Sequence, residues 1–91
     1  MQAIFKALSD PTRREILKLL RRGAMSAGAL ADHFPMTKGS MSHHFNLLKA
    51  ADLIRCERRG QQRVYSLNAT LVEDLAASLL DLVGRGTKRG A

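Results

Sequence analysis

Residues 36–51 hold no carboxylate, although the whole chain carries eight. The same stretch presents Thr37, Lys38, Gly39, Ser40, Ser42, His43, Asn46 and Lys49: hydroxyls, an amide, an imidazole, two amines and one residue without a side chain. Met41, Phe45 and Leu48 fall at i, i+4 and i+7. A helix from Thr37 to about Ala51 therefore packs that stripe inward, helped by Leu47, and turns the polar set outward. Short donors without negative charge suit both base edges and phosphate oxygens, so this face is read as one that lies in the major groove of duplex DNA. Thr37 is placed to cap the helix, whose first N–H groups can hold a phosphate. A face that is merely solvated would mix Asp or Glu among its cations.

A second cationic group follows. Ile54, Cys56 and Arg58 alternate with Arg55, Glu57 and Arg59, and a β-prone run begins again at Arg63. This predicts a hairpin across residues 53–67, with Arg58, Arg59, Gln61, Gln62 and Arg63 around a Gly60-containing turn. Such a tip can sit on phosphates or enter the neighbouring minor groove. Glu57 is expected to pair with an adjacent arginine. Catalysis is not expected. Ser42 and His43 are sequence neighbours without an orienting carboxylate, and no Gly-rich phosphate loop of the Walker or dinucleotide type is present.

These groups need a scaffold, and 91 residues suffice for one domain. Residues 1–84 are read as that domain, and 85–91 as a flexible basic tail. Ala3, Ile4, Ala7 and Leu8 make a short first helix. Asp10 caps a second, with Pro11 at its first position. Ile16, Leu17, Leu19 and Leu20 point inward there, whereas Arg13, Arg14, Lys18, Arg21 and Arg22 are expected outside. Gly23 ends it. Ser26 caps a third helix, and a three-residue turn at Pro35 and Met36 leads into the fourth. After the hairpin, Asn68 or Thr70 caps a last helix of about fourteen residues. The expected class is mainly α with a small β-hairpin: a winged helix-turn-helix of four helices, two strands and a fifth helix.

The last helix is apolar around more of its circumference than one core needs. Leu71, Val72, Leu75, Leu79 and Val83, with Ile4 and Phe5 of the first helix, are therefore expected at a homodimer interface. Fifteen Lys and Arg against eight acids give a net charge of +7, which suits a polyanion, either nucleic acid or an anionic surface. A single cysteine excludes an internal disulfide, and Cys56 is expected to be a small buried residue. No signal sequence or membrane-spanning run is visible, so a cytoplasmic protein without membrane insertion is expected.

Four motifs then resemble one family. SDPTRREIL at residues 9–17, MSAGALA at 25–31, SMSHHFNLL at 40–48, and Gly60 ahead of VYSL at 64–67 together resemble the ArsR/SmtB winged-helix repressors, and within them an autorepressor branch that senses no metal. The resemblance implies a homodimer built on the first and last helices and an operator that is an inverted repeat. It also implies Thr37, Lys38, Ser40, Ser42 and His43 facing DNA, with the wing near residues 59–63. In that branch a membrane protein relieves repression by sequestration, so an unknown sequestering partner is implied too. Metal-sensing members carry paired cysteines where this chain has Ser26 and Gly28, or use histidine on the last helix, which here offers only Glu73, Asp74 and Asp81. His43 and His44 diverge by about 100° on one helix. His33 and His44 alone make a poor transition-metal site. No metal or other cofactor is expected, and His44 is read as a packed, hydrogen-bonded residue. The expected function is a sequence-specific DNA-binding transcriptional repressor. A non-specific architectural DNA binder is the alternative.

Overall fold

Asp10 and Pro11 start the first long element in the predicted way. The Asp10 side chain accepts from the Arg13 amide at 3.0 Å, and Pro11 occupies the first turn, where its missing N–H costs nothing. The computed structural model describes residues 1–84. The tail expected at 85–91 lies outside the described residues. Chain order is α1 (Gln2–Leu8), α2 (Pro11–Leu20), β1 (Met25–Ser26), α3 (Ala27–Ala31), α4 (Lys38–Ala50), β2 (Ile54–Arg59), β3 (Gln62–Leu67) and α5 (Ala69–Leu82). Ser26, Thr37 and Asn68 cap α3, α4 and α5, each accepting an amide three residues on.

The sheet has one strand more than the expected hairpin. It is antiparallel, three-stranded and ordered β1-β3-β2, with Met25 opposite Tyr65 and Ser26 opposite Val64. A two-residue strand leaves no alternation to read, so only the tertiary pairing reveals it. The turn between α3 and α4 is also longer than the expected three residues. It covers residues 32–37 because α3 tightens and stops at Ala31, with His33 and Phe34 amides bonding back three residues.

One apolar cluster joins these elements. Ile16 and Leu20 of α2, Leu30 of α3, Met41, Phe45 and Leu48 of α4, and Leu53, Ile54 and Tyr65 from the sheet region are all buried. Full burial of each Ile or Leu contributes roughly 1.5–3 kcal/mol of transfer free energy. Phe45 stacks on Tyr65 with ring centroids 4.6 Å apart, fastening α4 to the middle of β3.

Two expectations about single residues fail. Arg13 is not outward: it is only 7% exposed, because its guanidinium folds back onto the end of α1. Cys56 is not buried but exposed. It pairs with the buried Tyr65 of the central strand, yet β2 is the edge strand and its burial ends at Ile54.

The end of α4 and the start of α5 are tied together. Asp52 adopts φ 62°, which lets the Asp52 amide bond Lys49 O at 2.9 Å and the Leu53 amide bond Leu48 O at 3.1 Å. This is a Schellman closure with Asp where Gly is usual, and it drops Leu53 into the core. Asn68, itself buried, then receives the Leu71 amide and donates its side-chain N–H to Asp52 O at 2.8 Å. The radius of gyration, 14.7 Å, exceeds the roughly 12 Å of a compact chain this long, because the wing and α5 project. Replacing Asn68→Ala removes the cap of α5 and strands the Asp52 carbonyl. Urea denaturation should show a loss of about 1–3 kcal/mol.

Candidate nucleic-acid interface

Gly39, Ser42, His43 and Asn46 stand at i, i+3, i+4 and i+7 of α4, so they share one exposed face about 100° wide, opposite the Met41–Phe45–Leu48 stripe. Lys38, Ser40 and Lys49 are also exposed and flank it. Thr37 is exposed, but its hydroxyl is already engaged: Oγ1 accepts the Ser40 amide and donates to Ser40 Oγ, both at 3.1 Å. What remains free to meet a phosphate there is the first-turn backbone of Lys38 and Gly39, which has no intrahelical acceptor.

Gly39 is not required by the fold. A Cβ placed on it would meet only Thr37 Oγ1, at an ordinary 3.9 Å. Glycine in the first turn of a helix still costs backbone entropy relative to alanine, though less than the about 1 kcal/mol of a helix interior, so its presence on this face fits a close approach by something outside the chain.

The wing places Arg58 directly opposite Arg63, and Arg59 opposite Gln62, leaving Gly60 and Gln61 as the loop. Gly60 has φ 62° while Gln61 is not in the left-handed region, the φ signs of a type II′ turn with Gly in its first central position. Arg58, Arg59, Gln61, Gln62 and Arg63 are all exposed. Arg59 Nη2 donates to Glu57 Oε1 at 3.0 Å, the pairing expected of Glu57. Arg58 and Arg63 have no carboxylate between them, and like charges facing across strands repel. An anion lying between the two would relieve that repulsion. Because Tyr65 lies two residues from Arg63 and stacks on Phe45, one aromatic contact holds both the α4 face and the root of the wing.

Behind α4 lies a polar assembly that sequence reading missed. Arg13 Nε donates to Ala7 O at 2.8 Å and Nη2 to Lys6 O at 3.0 Å, while Nη1 stands 3.1 Å from His44 Nδ1. Arginine has no acceptor, so Nδ1 must accept and the imidazole proton sits on Nε2. His44 is thus the packed, hydrogen-bonded residue anticipated, with Asp10 Oδ2 at 3.9 Å. Burial above all lowers its pKa below the usual 6.5; Asp10 opposes this, and the cations of Arg13 and His43 add to it. Its neutral form therefore stabilises the fold fully above pH 6.5, and that contribution is lost as pH falls through the depressed folded value. The backbone N–H of Arg13, more than its charge, holds the Asp10 carboxyl below its usual range. His33 is exposed and lines a shallow depression with Leu19, Arg22 and Met25. Among the described residues no three His, Cys, Asp or Glu side chains cluster as metal ligands would. The one signal in the sequence for this assembly was an arginine three residues after a helix cap, too common a pattern to single out.

The residues expected at a dimer interface divide into two groups. Ile4 and Leu75 lie in the chain's own core, and Leu71 and Val72 pack against it. Phe5, Leu79 and Val83 are exposed, joined by Leu80 and Leu82.

Residues 8–57 match the helix-turn-helix domain family. The chain is 49% identical over 86 residues to the transcriptional repressor SdpR of Bacillus subtilis (strain 168), covering 94% of this chain and 96% of that protein. It is 34% identical over 79 residues to the arsenical resistance operon repressor of Staphylococcus xylosus, covering 87% of this chain and 76% of that one. The crystal structure of an ArsR family transcriptional regulator superposes with a TM-score of 0.77 at 34% identity, over 89% of this chain and 92% of that one. The protein belongs to the ArsR family of winged helix-turn-helix regulators, which bind DNA and are not enzymes. It is a DNA-binding transcriptional repressor, similar to SdpR along nearly its whole length.

Gly39→Ala should raise the stability of the free protein by roughly 0.5–1 kcal/mol while weakening duplex binding, because helix propensity and close approach act in opposite directions there. Thermal melts and a fluorescence titration with duplex DNA measure the two effects.

Proposed function

We propose that the protein acts as a homodimer on an inverted-repeat operator in front of its own gene. It places α4 of each protomer in a major groove and the wing at the flanking backbone or minor groove. The carboxylate-free face of α4 carries this reading. Gly39, Ser42, His43 and Asn46 form a compact set of donors with little bulk, rigidly backed by the core. A net charge of +7 adds the sequence-independent attraction that brings a repressor to DNA. Two recognition helices of a symmetric dimer would meet successive major grooves about one helical turn apart.

The apolar residues exposed on α5, with Phe5, support dimer formation, since α5 buries only Leu75 within its own chain. Leu82 is 81% exposed, a poor place for a leucine unless something covers it. Phe5, Leu79 and Val83 are then the contact residues, flanked by Leu71 and Val72, while Ile4 and Leu75 support them from beneath. Repression by this chain requires no metal sensor. Ser26 caps α3 and pairs with β3, so the position before the turn has a structural role here. Relief of repression then comes from outside the DNA-binding face, through a protein that sequesters the repressor.

The reading is tested by competition between labelled DNA from upstream of the gene and excess random duplex. Equal competition by random DNA would replace repression at an operator with general architectural binding. Ser42→Ala and His43→Ala should each narrow the preference for upstream DNA by about 1–3 kcal/mol if a base contact is lost. Arg63→Ala should instead weaken binding to both duplexes and reduce the slope of log K against log salt by about one phosphate contact.

Leu79→Glu should yield monomers by light scattering. Their affinity for upstream DNA should fall roughly a hundredfold or more, as linkage between two half-sites is lost. A persistent dimer with undiminished affinity would remove α5 from the interface.

A further inference from the structure

We propose that Arg13 and His44 are positioning residues for operator recognition: the Arg13 fork locks the recognition helix α4 to the end of α1, and protonation of His44 opens that lock. This rests on the operator-binding reading above and deepens it. The side of α4 that meets DNA has no anchor of its own, so its tilt is set entirely from behind. There the apolar stripe supplies adhesion without direction, whereas three directional bonds leave one planar guanidinium. Nε and Nη2 fix it to the Ala7 and Lys6 carbonyls at 2.8 and 3.0 Å, and Nη1 reaches His44 Nδ1 at 3.1 Å. His44 adjoins His43 in sequence, with ring centroids 5.9 Å apart. A rotation of α4 that broke the Arg13 contact would therefore move His43, and with it Ser42 and Asn46, across the groove.

The same geometry contains an alternative arrangement. A proton on Nδ1 abolishes its only acceptor site and sets an imidazolium against the guanidinium, while Asp10 Oδ2 stands 3.9 Å away. Protonated His44 therefore exchanges Arg13 for Asp10, the N-cap of α2. The charged groups facing His44 are few: Asp10 and Arg13 from α2, and His43 on its own helix. From α1, Lys6 enters this cluster through its carbonyl. Burial keeps the imidazole neutral at neutral pH, so the lock is closed there and opens only as pH falls through the depressed folded value, which lies below 6.5.

The test compares wild type, Arg13→Lys, His44→Gln and His43→Gln, each first shown by thermal melting to be folded at the assay temperature. The readout is the ratio of affinities for footprinted upstream DNA and for random duplex, followed from about pH 7.5 downward through the whole acid range in which thermal melting shows the protein folded. In wild type and His43→Gln the ratio should fall roughly tenfold on acidification, the effect of losing one hydrogen bond to a charged group. In His44→Gln, whose amide oxygen can still accept from Arg13, the ratio should match wild type at the higher pH and stay flat. Arg13→Lys, which keeps the charge but not the fork, should have the low ratio throughout. A folded Arg13→Lys with the wild-type ratio, or an acid-dependent fall that survives in His44→Gln, overturns the proposal.

The lock is also read without DNA. Protection factors, which allow for the slower intrinsic amide exchange at lower pH, should fall together in α1 and α4 on acidification in wild type and not in His44→Gln, and independent behaviour of the two helices overturns it. If wild type shows no preference for upstream DNA at the higher pH, the operator reading fails, and the exchange experiment alone decides whether the lock exists.

Discussion

The guanidinium of Arg13 is the point on which the helical half of the molecule turns. A seven-residue helix such as α1 is far too short to persist alone, since nucleation is costly and its last carbonyls lack intrahelical partners; Ser9 bonds only that of Lys6. Arg13 closes the Lys6 and Ala7 carbonyls, and Arg14 Nη1 closes Leu8 O at 2.7 Å. Positive charge therefore meets the negative end of the helix dipole. Burying a guanidinium this deeply is tolerable only because each of its nitrogens has a partner. With α1 held, Ile4 and Ala7 enter the core, and Phe5 is left exposed.

A second constraint acts on the other half. Phe45 against Tyr65 joins the recognition helix to the central strand, and β3 in turn carries the wing on one edge and β1 on the other. The α4 face and the arginine hairpin are thereby parts of one rigid assembly rather than two independent cationic patches. Rigidity has value for recognition because base contacts demand a fixed approach, whereas phosphate attraction alone tolerates sliding. The exposed repulsive pair Arg58 and Arg63 and the unneeded glycine at position 39 are local departures from what stability favours. Both lie where DNA is proposed to bind.

Much of the site could be read before folding. The polar face of α4, its Thr37 cap, its buried stripe and the wing tip follow from helical and strand periodicity and from turn chemistry, which are local properties. So do the caps at Asp10 and Ser26, whereas Asn68 and Thr70 are equal candidates for the cap of α5 until the Asn68 side chain is seen to accept the Leu71 amide. Readings failed where an outcome depended on chain neighbours distant in sequence. Charge and helical position both put Arg13 in water, and nothing local reveals that its guanidinium reaches carbonyls six and seven residues back. Alternation assigns Cys56 to the face of Ile54, but it does not reveal that β2 is an edge strand whose face is left uncovered there.

The sequence by itself determined the class of protein and the chemistry of the exposed face of α4. Side-chain type at a 3.6-residue period already separates a core stripe from a donor face, and the absence of carboxylates over residues 36–51 needs no coordinates to be seen. Only the tertiary structure decided how that helix is held. The Arg13–His44 contact joins residues 31 apart, and the two-residue strand β1 exists solely because β3 is there to pair with it. Long-range polar contacts depend on three-dimensional placement to within a few tenths of an ångström, and no one-dimensional pattern encodes that precision.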